Sequence, residues 1–373
     1  MSSTTQAIQT AIFDEAAKKH PASVAGYRIR TANERLTESH AKRDPDSLFM
    51  NIWNEGELCV LFSDTNVGKS VLAVQIAEQI AKQQLVTYFD LENTDKQFES
   101  RNRDDDTKSL IPFDDNLLII DNDPEADDDD DEAVDEKAYI AAEIDRIKAV
   151  VEAMGAKVVI IDNMSWIINS TEKGDIAGGF IKRLKRLKST LDLSVLVVGH
   201  TPKINQFLGR RITTDSLAGS KRLINFVDSA FAVGRSEADP DHGRYIIQIK
   251  SRSNYGIQYG TNHVITATLS KTNPNDPKDK GRLRLWMTGH STEDEQLRRD
   301  FADADGMGNE LRQKAAELKE QGKSVRAIAA EMGLSKSKVD RMLQKAADTS
   351  QATAPDNDEA DDAIAPDEEE MPF

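Results

Sequence analysis

Apolar runs of five to seven residues alternate with longer amphipathic stretches from about residue 58 to residue 199. Runs of this length, rich in Val, Ile and Leu, predict strands buried on both faces, and the stretches between them have helical spacing. Such alternation is typical of an α/β fold in which helices cover both faces of a mainly parallel sheet. The predicted strands are 58–62, 85–91, 116–121, 157–162 and 193–199, and the predicted helices are about 69–82, 138–153 and 177–190.

The pattern changes in the next part of the chain. The apolar runs 231–234, 245–252 and 264–269 have no helical stretch between them, so the sheet is expected to end in antiparallel strands. Residues 271–282, with the sequence KTNPNDPKDKGR, are expected to form a loop because turn-forming and charged residues dominate them.

Composition divides the chain into five predicted parts. These are a polar helical arm or linker over 1–44, the α/β core over 45–290, a linker over 291–308, a small all-α unit over 309–346 and an acidic tail over 347–373. Within the arm, weak helical periodicity lies around Ala7–Ala17 and Ala32–Ala41. The tail has low complexity, and we expect it to be disordered.

The acidic character of the chain is local. Lys and Arg total 48 against 65 Asp and Glu, a net charge of −17. Residues 121–136 hold 11 acids and residues 354–373 hold nine, neither with a base, so the remainder has 48 basic and 45 acidic residues. The overall charge therefore does not exclude nucleic-acid binding, and the insert 121–136 is expected to be a solvated spacer within the core.

The single cysteine, Cys59, excludes a disulfide framework and a thiolate metal site. It lies in an apolar run, so we expect a buried, inert strand residue. No apolar run is long enough for a membrane span, and the N-terminal segment has no signal-peptide core. The sequence therefore predicts a soluble, cytoplasmic protein without membrane contact.

A candidate phosphate-binding loop follows the first strand and precedes a helix, which is the context that a P-loop requires. The backbone N–H groups of such a loop cradle phosphates, while Lys69 is expected to reach the β- and γ-phosphates and Ser70 to bind Mg²⁺. Ser63 departs from the pattern, which has a glycine there; a fortuitous turn is the alternative. The predicted nucleotide-binding residues are Ser63, Asp64, Thr65, Asn66, Val67, Gly68, Lys69, Ser70 and Val71.

Two carboxylates support this interpretation. Asp162 ends a buried strand about 90 residues after the loop, which is the Walker B pattern and indicates a second Mg²⁺ ligand. Glu92 follows the strand after the P-loop helix, where a carboxylate is able to deprotonate an attacking water. A solvent-facing acid at a helix start is the alternative for Glu92.

With these residues the chain resembles the RecA-like ATPases, particularly the hexameric replicative helicases and the RepA-type plasmid helicases. The resemblance covers roughly residues 45–290 and implies a RecA-like P-loop core, ATP with Mg²⁺, and Glu92 as the catalytic base. It also implies that His200, in GHTPK at the end of a strand, senses the γ-phosphate. An ordinary polar residue at a strand end is the alternative for His200.

The resemblance extends to contacts between subunits and with DNA. Lys250 and Arg252, in IKSRSNYG, resemble a K-x-R pattern whose basic groups reach the nucleotide of the neighbouring subunit, so Arg252 is the expected arginine finger and Lys250 its companion. That role requires an oligomer, for which the family implies a hexamer. The loop 203–216 corresponds to DNA-contacting segments, which implies contacts to single-stranded DNA from Lys203, Arg210 and Arg211. A solvated basic loop and a solubilised edge strand are the alternatives.

The helical unit 309–346 resembles a helix-turn-helix of the resolvase/invertase type. Gly322 is expected to end its first helix and Ser324 to cap its second. The unit has nine basic and five acidic residues, which favours contact with duplex DNA, and a protein-docking module is the alternative. The expected DNA contacts of its third helix are Lys336, Ser337, Lys338 and Arg341.

The acidic tail ends in Met371, Pro372 and Phe373. It resembles the C-terminal tip of bacterial single-stranded-DNA-binding proteins, which implies recruitment of replication or repair proteins. A tail that only improves solubility is the alternative.

Together these features predict a DNA-dependent ATPase, an oligomeric helicase-type motor that serves replication or mobilisation of a plasmid, phage or mobile element. The alternative is an ATP-gated regulator or loader that binds DNA without translocating and recruits other proteins.

Overall fold

The computed structural model describes residues 22–122, 136–167, 174–200, 211–216, 220–252, 256–297, 316–319, 321–325, 327–328 and 343. The chain divides into two compact units, Met1–Leu297 and Arg298–Phe373. The strands of the first unit are β1 (Ser23–Val24), β2 (Tyr27–Arg28), β3 (Ser47–Phe49), β4 (Trp53–Asn54), β5 (Leu58–Ser63), β6 (Val86–Asp90), β7 (Leu117–Ile120), β8 (Val158–Asp162), β9 (Ser194–His200), β10 (Ser229–Arg235), β11 (Gly243–Lys250), β12 (Val264–Asn273) and β13 (Asp276–Ser291).

Its helices are α1 (Ala32–His40), α2 (Lys69–Ala81), α3 (Asp95–Arg101), α4 (Glu136–Met154), α5 (Met164–Ile167), α6 (Gly174–Leu191), α7 (Ser220–Phe226) and α8 (Glu293–Leu297), with a 3₁₀ turn at Thr214–Ser216. None of the helices within the described ranges has the length and hydropathy to cross a membrane. The helix α1 confirms the periodicity around Ala32–Ala41, and a Thr31–Glu34 capping box defines its start.

Nine strands form one sheet in the order β13-β12-β11-β10-β5-β9-β8-β6-β7. From β10 to β7 every pairing is parallel, whereas β10 to β13 pair antiparallel. The α/β class with a mostly parallel sheet flanked by helices is therefore confirmed, and so is its antiparallel end. The P-loop strand β5 and the Walker B strand β8 are not neighbours, because β9 lies between them.

The sheet separates two apolar cores because side chains alternate along each strand. On β5, Leu58, Val60 and Phe62 face the core formed with α4, α6 and α7. Cys59 and Leu61 face the other core, formed with α2 and the β3–β4 hairpin. The expected burial of Cys59 is confirmed, and burial raises the pKa of its thiol. Full burial of one leucine, valine or phenylalanine side chain of β5 contributes about 1.5–3 kcal/mol to the free energy of folding.

The prediction of a loop over 271–282 is wrong. β12 continues to Asn273 and β13 begins at Asp276, so these residues form the end of a long hairpin with its turn at 274–275. The charged residues that suggested a loop instead attach the hairpin to the segment after α3, since Lys271 pairs with Asp105 and Lys280 with Asp106. Pro277 is compatible with the strand because β13 lies at the edge of the sheet.

In the second unit, the described helical segment 316–319 precedes Gly322, whose φ of +78° is typical of a helix end. The hydroxyl of Ser324 accepts a hydrogen bond from the N–H of Ala327 at 3.3 Å, as expected for a helix cap. Leu318 and Ile328 are buried. Lys336, Ser337, Lys338 and Arg341, on which the DNA prediction for this unit depends, lie outside the described residues.

Candidate active site

The loop between β5 and α2 has the backbone of an anion-binding turn. Asn66 and Gly68 have positive φ angles of 61° and 110°, which asparagine tolerates and glycine adopts freely. A Cβ atom at residue 68 would lie 3.1 Å from Cδ1 of Leu285, so that position is restricted to glycine by both strain and space. The first turn of α2 follows directly, and its N–H groups without intrahelical partners are suited to bind phosphate.

The missing first glycine has a local explanation. β5 continues through Ser63, which has an ordinary strand backbone, pairs in register with His200 and is buried. The Ser63 hydroxyl donates to the carbonyl oxygen of Asp64 at 2.9 Å. Because no positive φ is needed at residue 63, a serine fits where the common pattern has glycine.

Lys69 is folded back over the loop that precedes it. Its Nζ lies 3.4 Å from the carbonyl oxygen of Ser63, 3.1 Å from that of Asp64 and 3.1 Å from Nδ1 of His200. The side chain is buried, and this burial lowers the pKa of the ammonium group. The partners of Lys69 are therefore neutral acceptors, which a phosphate bound in the loop would replace.

Asp162 is a fully buried carboxylate at the end of β8. Its Oδ2 accepts a hydrogen bond from the Tyr88 hydroxyl at 2.7 Å, whereas Oδ1 is buried and has no hydrogen-bond partner. Burial raises the pKa of Asp162 to about 6, while the hydrogen bond from Tyr88 and the nearby Ser70 hydroxyl oppose the increase. Asp90, the register partner of Asp162 on β6, raises the pKa further by repulsion.

This environment fits a divalent cation. An unpartnered buried carboxylate oxygen beside the Ser70 hydroxyl supplies the hard oxygen ligands that Mg²⁺ prefers. Within the described ranges, no three His, Cys, Asp or Glu side chains converge as a metal site by themselves. Two protein ligands are typical of a Mg²⁺ that takes its other ligands from phosphates and water.

Glu92, Asn163 and His200 form a second cluster beside Lys69. The Asn163 side-chain amide donates a hydrogen bond to Oε2 of Glu92 and lies 3.1 Å from Nε2 of His200. The same His200 nitrogen is 3.9 Å from Oε2 of Glu92. Burial, followed by the charge of Lys69, lowers the pKa of His200, so the imidazole is neutral at physiological pH. The Glu92 side chain is 50% exposed, which leaves room for a water molecule.

Strand order explains why these residues meet. The carboxyl ends of parallel strands lie at one edge of the sheet, and the order β5-β9-β8-β6 puts their terminal residues in a row. Along that edge follow Lys69 after β5, His200 at the end of β9, Asp162 and Asn163 at the end of β8, and Glu92 after β6. The predicted P-loop, sensor, Walker B residue and base are thus brought together.

Arg244, the second residue of β11, supports the P-loop. No sequence motif indicated this role. Its Nε donates to the carbonyl oxygen of Val67 at 2.9 Å, and its other nitrogens reach three carbonyls of the preceding turn, those of Pro240, Asp241 and Gly243. The guanidinium is buried, which lowers the pKa of Arg244. An arginine at the start of a predicted strand gives no signal of this role, because only the antiparallel pairing of β10 and β11 brings it to the loop.

A shallow, open groove begins at the exposed side of the P-loop helix. It runs between α2, α3 and β13 and combines an aromatic ring with three guanidinium groups and several amides. Its lining residues are Ser70, Val71, Val74, Gln75, Glu78, Asp90, Asn93, Phe98, Arg101, Asn102, Arg282, Leu283 and Arg284.

Lys250 and Arg252 lie at the opposite edge of the parallel strands. Arg252 donates to Oδ1 of Asp228 at 3.3 Å and to the carbonyl oxygen of Asn225 at 2.9 Å, and Lys250 donates to the carbonyl oxygen of Ile224. Asp228 in turn accepts from the N–H of Leu58, the first residue of β5. The P-loop follows the last residue of β5, which lies roughly 17 Å from Leu58 at about 3.3 Å per residue. Arg252 therefore does not reach the nucleotide site of its own chain.

Of the predicted DNA contacts of the core, only Arg211 is described. It forms a bidentate ion pair with Asp294, with N–O distances from 2.6 to 3.0 Å. Lys203 and Arg210 lie outside the described residues, as do Met371, Pro372 and Phe373 of the tail.

Comparison with known proteins finds a family model and solved structures that are similar to this chain. Residues 28–206 match the family model described as an AAA domain. A solved structure of a KaiC-like protein from the hyperthermophilic archaeon Pyrococcus horikoshii OT3 is similar, with a TM-score of 0.41 and 13% identity over 63% of this chain and 94% of that chain. Comparison with curated protein sequences gives no match.

The sheet order, the P-loop and the family match support a RecA-like P-loop ATPase core in the first unit. This class of protein binds a nucleotide together with Mg²⁺, as the sequence predicted.

Proposed function

We propose that this protein is a DNA-dependent ATPase that works as an oligomeric motor of the helicase type. The observation that carries ATP hydrolysis is the row of side chains at the carboxyl edge of the parallel strands. Lys69 lies beside a helix N-terminus, Asp162 offers an unpartnered carboxylate oxygen, and Glu92 lies within reach of both. Similarity to helicases in the motifs of the core supports DNA as the partner.

ATP binding replaces hydrogen bonds that the side chain of Lys69 makes within the protein. The backbone N–H groups before and within the first turn of α2 bind the β- and γ-phosphates, and Lys69 leaves the two loop carbonyls and His200 to donate to phosphate oxygens. Ser70 and Asp162 would hold Mg²⁺, which would supply positive charge to neutralise the phosphates. The shallow groove beside Ser70, with Phe98 and Arg101, is the expected position of the base and ribose.

Hydrolysis needs a base and an oriented water. Glu92 accepts a proton from the water while the water oxygen attacks the γ-phosphorus. The bond between the γ-phosphorus and the bridging β-phosphate oxygen breaks, and ADP is released. The hydrogen bond from Asn163 holds the Glu92 carboxylate toward the site. His200, next to Lys69, is able to donate to a γ-phosphate oxygen.

The position of Arg252 supports an oligomer. An arginine that lies roughly 17 Å from its own P-loop is available to the nucleotide of a second copy, where its charge would stabilise the transition state. Lys250 lies beside it, and Asp228 with two backbone carbonyls keeps these cations ordered in the single chain. We infer a closed ring, with the hexamer as the expected form.

DNA contacts are assigned to two places. Lys203, Arg210 and Arg211 belong to the loop that follows His200, so phosphate binding is able to move a segment that touches single-stranded DNA. Duplex DNA is the expected partner of Lys336, Ser337, Lys338 and Arg341 in the helical unit. The tail end Met371–Phe373 is proposed to recruit replication or repair proteins, and its deletion should abolish their capture by the full-length chain.

The decisive experiment measures ATP hydrolysis without DNA, with single-stranded DNA and with duplex DNA. Wild type should be stimulated by single-stranded DNA, and Glu92→Gln should lower turnover about 100-fold or more. A Gln84→Ala variant, changed just beyond α2, is the control and should behave as wild type. Slow turnover that no DNA stimulates, together with tight binding to one duplex site, would instead support the ATP-gated regulator.

The oligomer is tested by mixing two inactive variants. Lys69→Ala destroys its own nucleotide site but retains Arg252, whereas Arg252→Ala retains its site and lacks the finger. Random assembly of an equal mixture should restore about a quarter of the wild-type turnover, because one interface in four combines both intact residues. No recovery in mixed oligomers would contradict a role of Arg252 in a neighbouring site.

A further inference from the structure

Asp228 holds the predicted arginine finger in the single chain, and it does so together with two lysines of α6. Its side chain is 16% exposed, and Arg252 lies 3.3 Å and Lys185 3.4 Å from its Oδ1 atom. Lys188 lies 3.2 Å from Oδ2, to which the N–H group of Leu58 also donates at 3.0 Å. Three positive side chains therefore share one negative charge.

The ion pair between Arg252 and Asp228 is weak for an arginine. One nitrogen of Arg252 contacts one carboxylate oxygen at 3.3 Å, whereas Arg211 binds Asp294 with two nitrogens at 2.6–3.0 Å. Strong hydrogen bonds between arginine and a carboxylate are bidentate and about 2.7–2.9 Å long. The Arg252 side chain is also 48% exposed, so water screens the remaining attraction. Asp228 therefore orders Arg252 without binding it tightly.

The two lysines determine what the departure of Arg252 costs. Without them, departure would leave a largely buried carboxylate without a cation, which is strongly unfavourable. With them, Oδ1 of Asp228 keeps Lys185 and Oδ2 keeps Lys188, so the carboxylate stays paired. The other partner of Arg252 is the carbonyl oxygen of Asn225 at 2.9 Å, and this residue is exposed, so water is able to replace the guanidinium there.

Repulsion between the cations acts in the same direction. Lys250, two residues before Arg252, donates to the carbonyl oxygen of Ile224 at the end of α7. Burial, followed by the charge of Arg252, lowers the pKa of Lys250. Movement of Arg252 to a phosphate therefore relieves repulsion at α7, and it gives the guanidinium a partner with more negative charge than one carboxylate.

We propose that Lys185 and Lys188 are positioning residues for Arg252, because they make its ion pair with Asp228 exchangeable. In the single chain Asp228 keeps Arg252 ordered. When a second copy presents a nucleotide, Arg252 moves to the terminal phosphate, and the two lysines neutralise Asp228 in its place. This inference rests on the proposed ATPase function and on the action of Arg252 in a neighbouring site.

The test uses the mixture of full-length Lys69→Ala and Arg252→Ala chains, in which only the Lys69→Ala chain supplies the finger. Lys185→Met and Lys188→Met are introduced together into one chain at a time, which removes both charges and keeps the aliphatic stems. In the Lys69→Ala chain they should lower the recovered turnover about 10-fold, because Arg252 is then needed to neutralise Asp228. In the Arg252→Ala chain, which has no finger to retain, the same changes should lower it by less than about twofold.

Asp228→Asn distinguishes retention of Arg252 from a structural defect. Added to the finger-supplying chain that lacks both lysines, it removes the charge that retains Arg252, while the asparagine oxygen is still able to accept from the N–H group of Leu58. The recovered turnover should rise again, to within about threefold of the plain mixture. A purely structural role of the lysines predicts a further loss instead.

Two single substitutions complete the design. Lys185→Met, at a side chain that is 35% exposed, is the milder variant and should lower the recovered turnover about threefold, in the finger-supplying chain only. Lys157→Met is the matched control, because Lys157 also donates to a carbonyl oxygen at a helix end, that of Leu191 at 2.7 Å. It should leave the recovered turnover within about twofold in either chain.

The outcomes distinguish two failures. If the plain mixture recovers turnover, but the lysine substitutions lower it equally in both chains or in neither, the exchange at Asp228 is wrong while the role of Arg252 in a neighbouring site stands. A further loss on addition of Asp228→Asn would overturn the exchange in the same way. If the plain mixture recovers no turnover, or the wild type does not hydrolyse ATP, the proposed function fails and the exchange with it.

Discussion

Replacement of Asp162 by asparagine is expected to stabilise the metal-free protein while it abolishes Mg²⁺-dependent hydrolysis. The carboxylate is fully buried, and one of its oxygens has no hydrogen-bond partner. Asparagine keeps an oxygen that accepts from the Tyr88 hydroxyl, but it removes the buried charge. Stability and function should therefore change in opposite directions, as expected where a site is organised around a cation.

The magnitude follows from the raised pKa of Asp162, about 6 in the folded protein against 3.8 ordinarily. A pKa that is raised on folding favours the protonated folded form, so the stabilising effect is complete below pH 3.8 and is lost as the pH rises to about 6. At 1.36 kcal/mol per pH unit, the charged group costs roughly 3 kcal/mol at pH 7.5. Asp162→Asn should recover a large part of this, about 1–3 kcal/mol.

The assay is thermal unfolding in EDTA at pH 7.5 and at pH 4. The variant should melt higher at pH 7.5, by about 2–4 °C for each kcal/mol, and should have no advantage at pH 4. Asp228→Asn is the matched control with the opposite sign. Burial alone would raise the pKa of Asp228, but the Leu58 N–H with Lys188 and Lys185 lowers it overall, so this variant should melt lower at pH 7.5. An Asp162→Asn protein that is destabilised at pH 7.5, or equally stabilised at both pH values, would refute the reasoning.

Two further predictions concern the support of the P-loop. Gly68→Ala should lower stability by about 1–3 kcal/mol and weaken nucleotide binding, because φ at residue 68 is +110° and the new Cβ atom would meet Leu285. Thermal melting measures the stability and nucleotide titration measures the affinity. Unchanged binding would contradict the loop geometry. Arg244→Lys should lower the free energy of unfolding by about 2–3 kcal/mol, because a lysine does not replace four hydrogen bonds to carbonyl oxygens, among them that of Val67. Arg235→Lys, at an exposed position, is the control and should have little effect. Equal melting temperatures of the two variants would argue against support of the P-loop by Arg244.

Much of the candidate site was predictable because its signals are local. The P-loop, Asp162 and Glu92 each follow a run of apolar residues, and a polar residue directly after a buried strand is a position where function is expected. Asn163 satisfies the same criterion, since it directly follows Asp162. Its amide role was not predictable, however, because it depends on two side chains from other strands.

The sequence was misleading where strand pairing overrode the local signal of charged and turn-forming residues. Residues 271–282 have two prolines and six charged residues, which by themselves favour a loop. In the fold, the pairing of Thr272 with Lys280 and the ion pairs of Lys271 and Lys280 with the segment after α3 stabilise a strand conformation. Those partners lie more than 160 residues away in the chain, beyond the range of any local pattern.

The sequence by itself determined the fold class, the strands and helices of the core and the chemistry available at the strand ends. These follow from burial, which imposes a period of two or 3.6 on local residues, and from backbone needs such as the glycine at residue 68. Only the tertiary structure decided which of these groups meet. The insertion of β9 between β5 and β8 brings His200 between Lys69 and Asn163, and the reversal at β11 carries Arg252 to the far edge of the sheet. Strand order is set by packing over the whole sheet, so the contacts of His200 with Lys69 and Asn163 and the separation of Arg252 from its own P-loop became visible only in the folded chain.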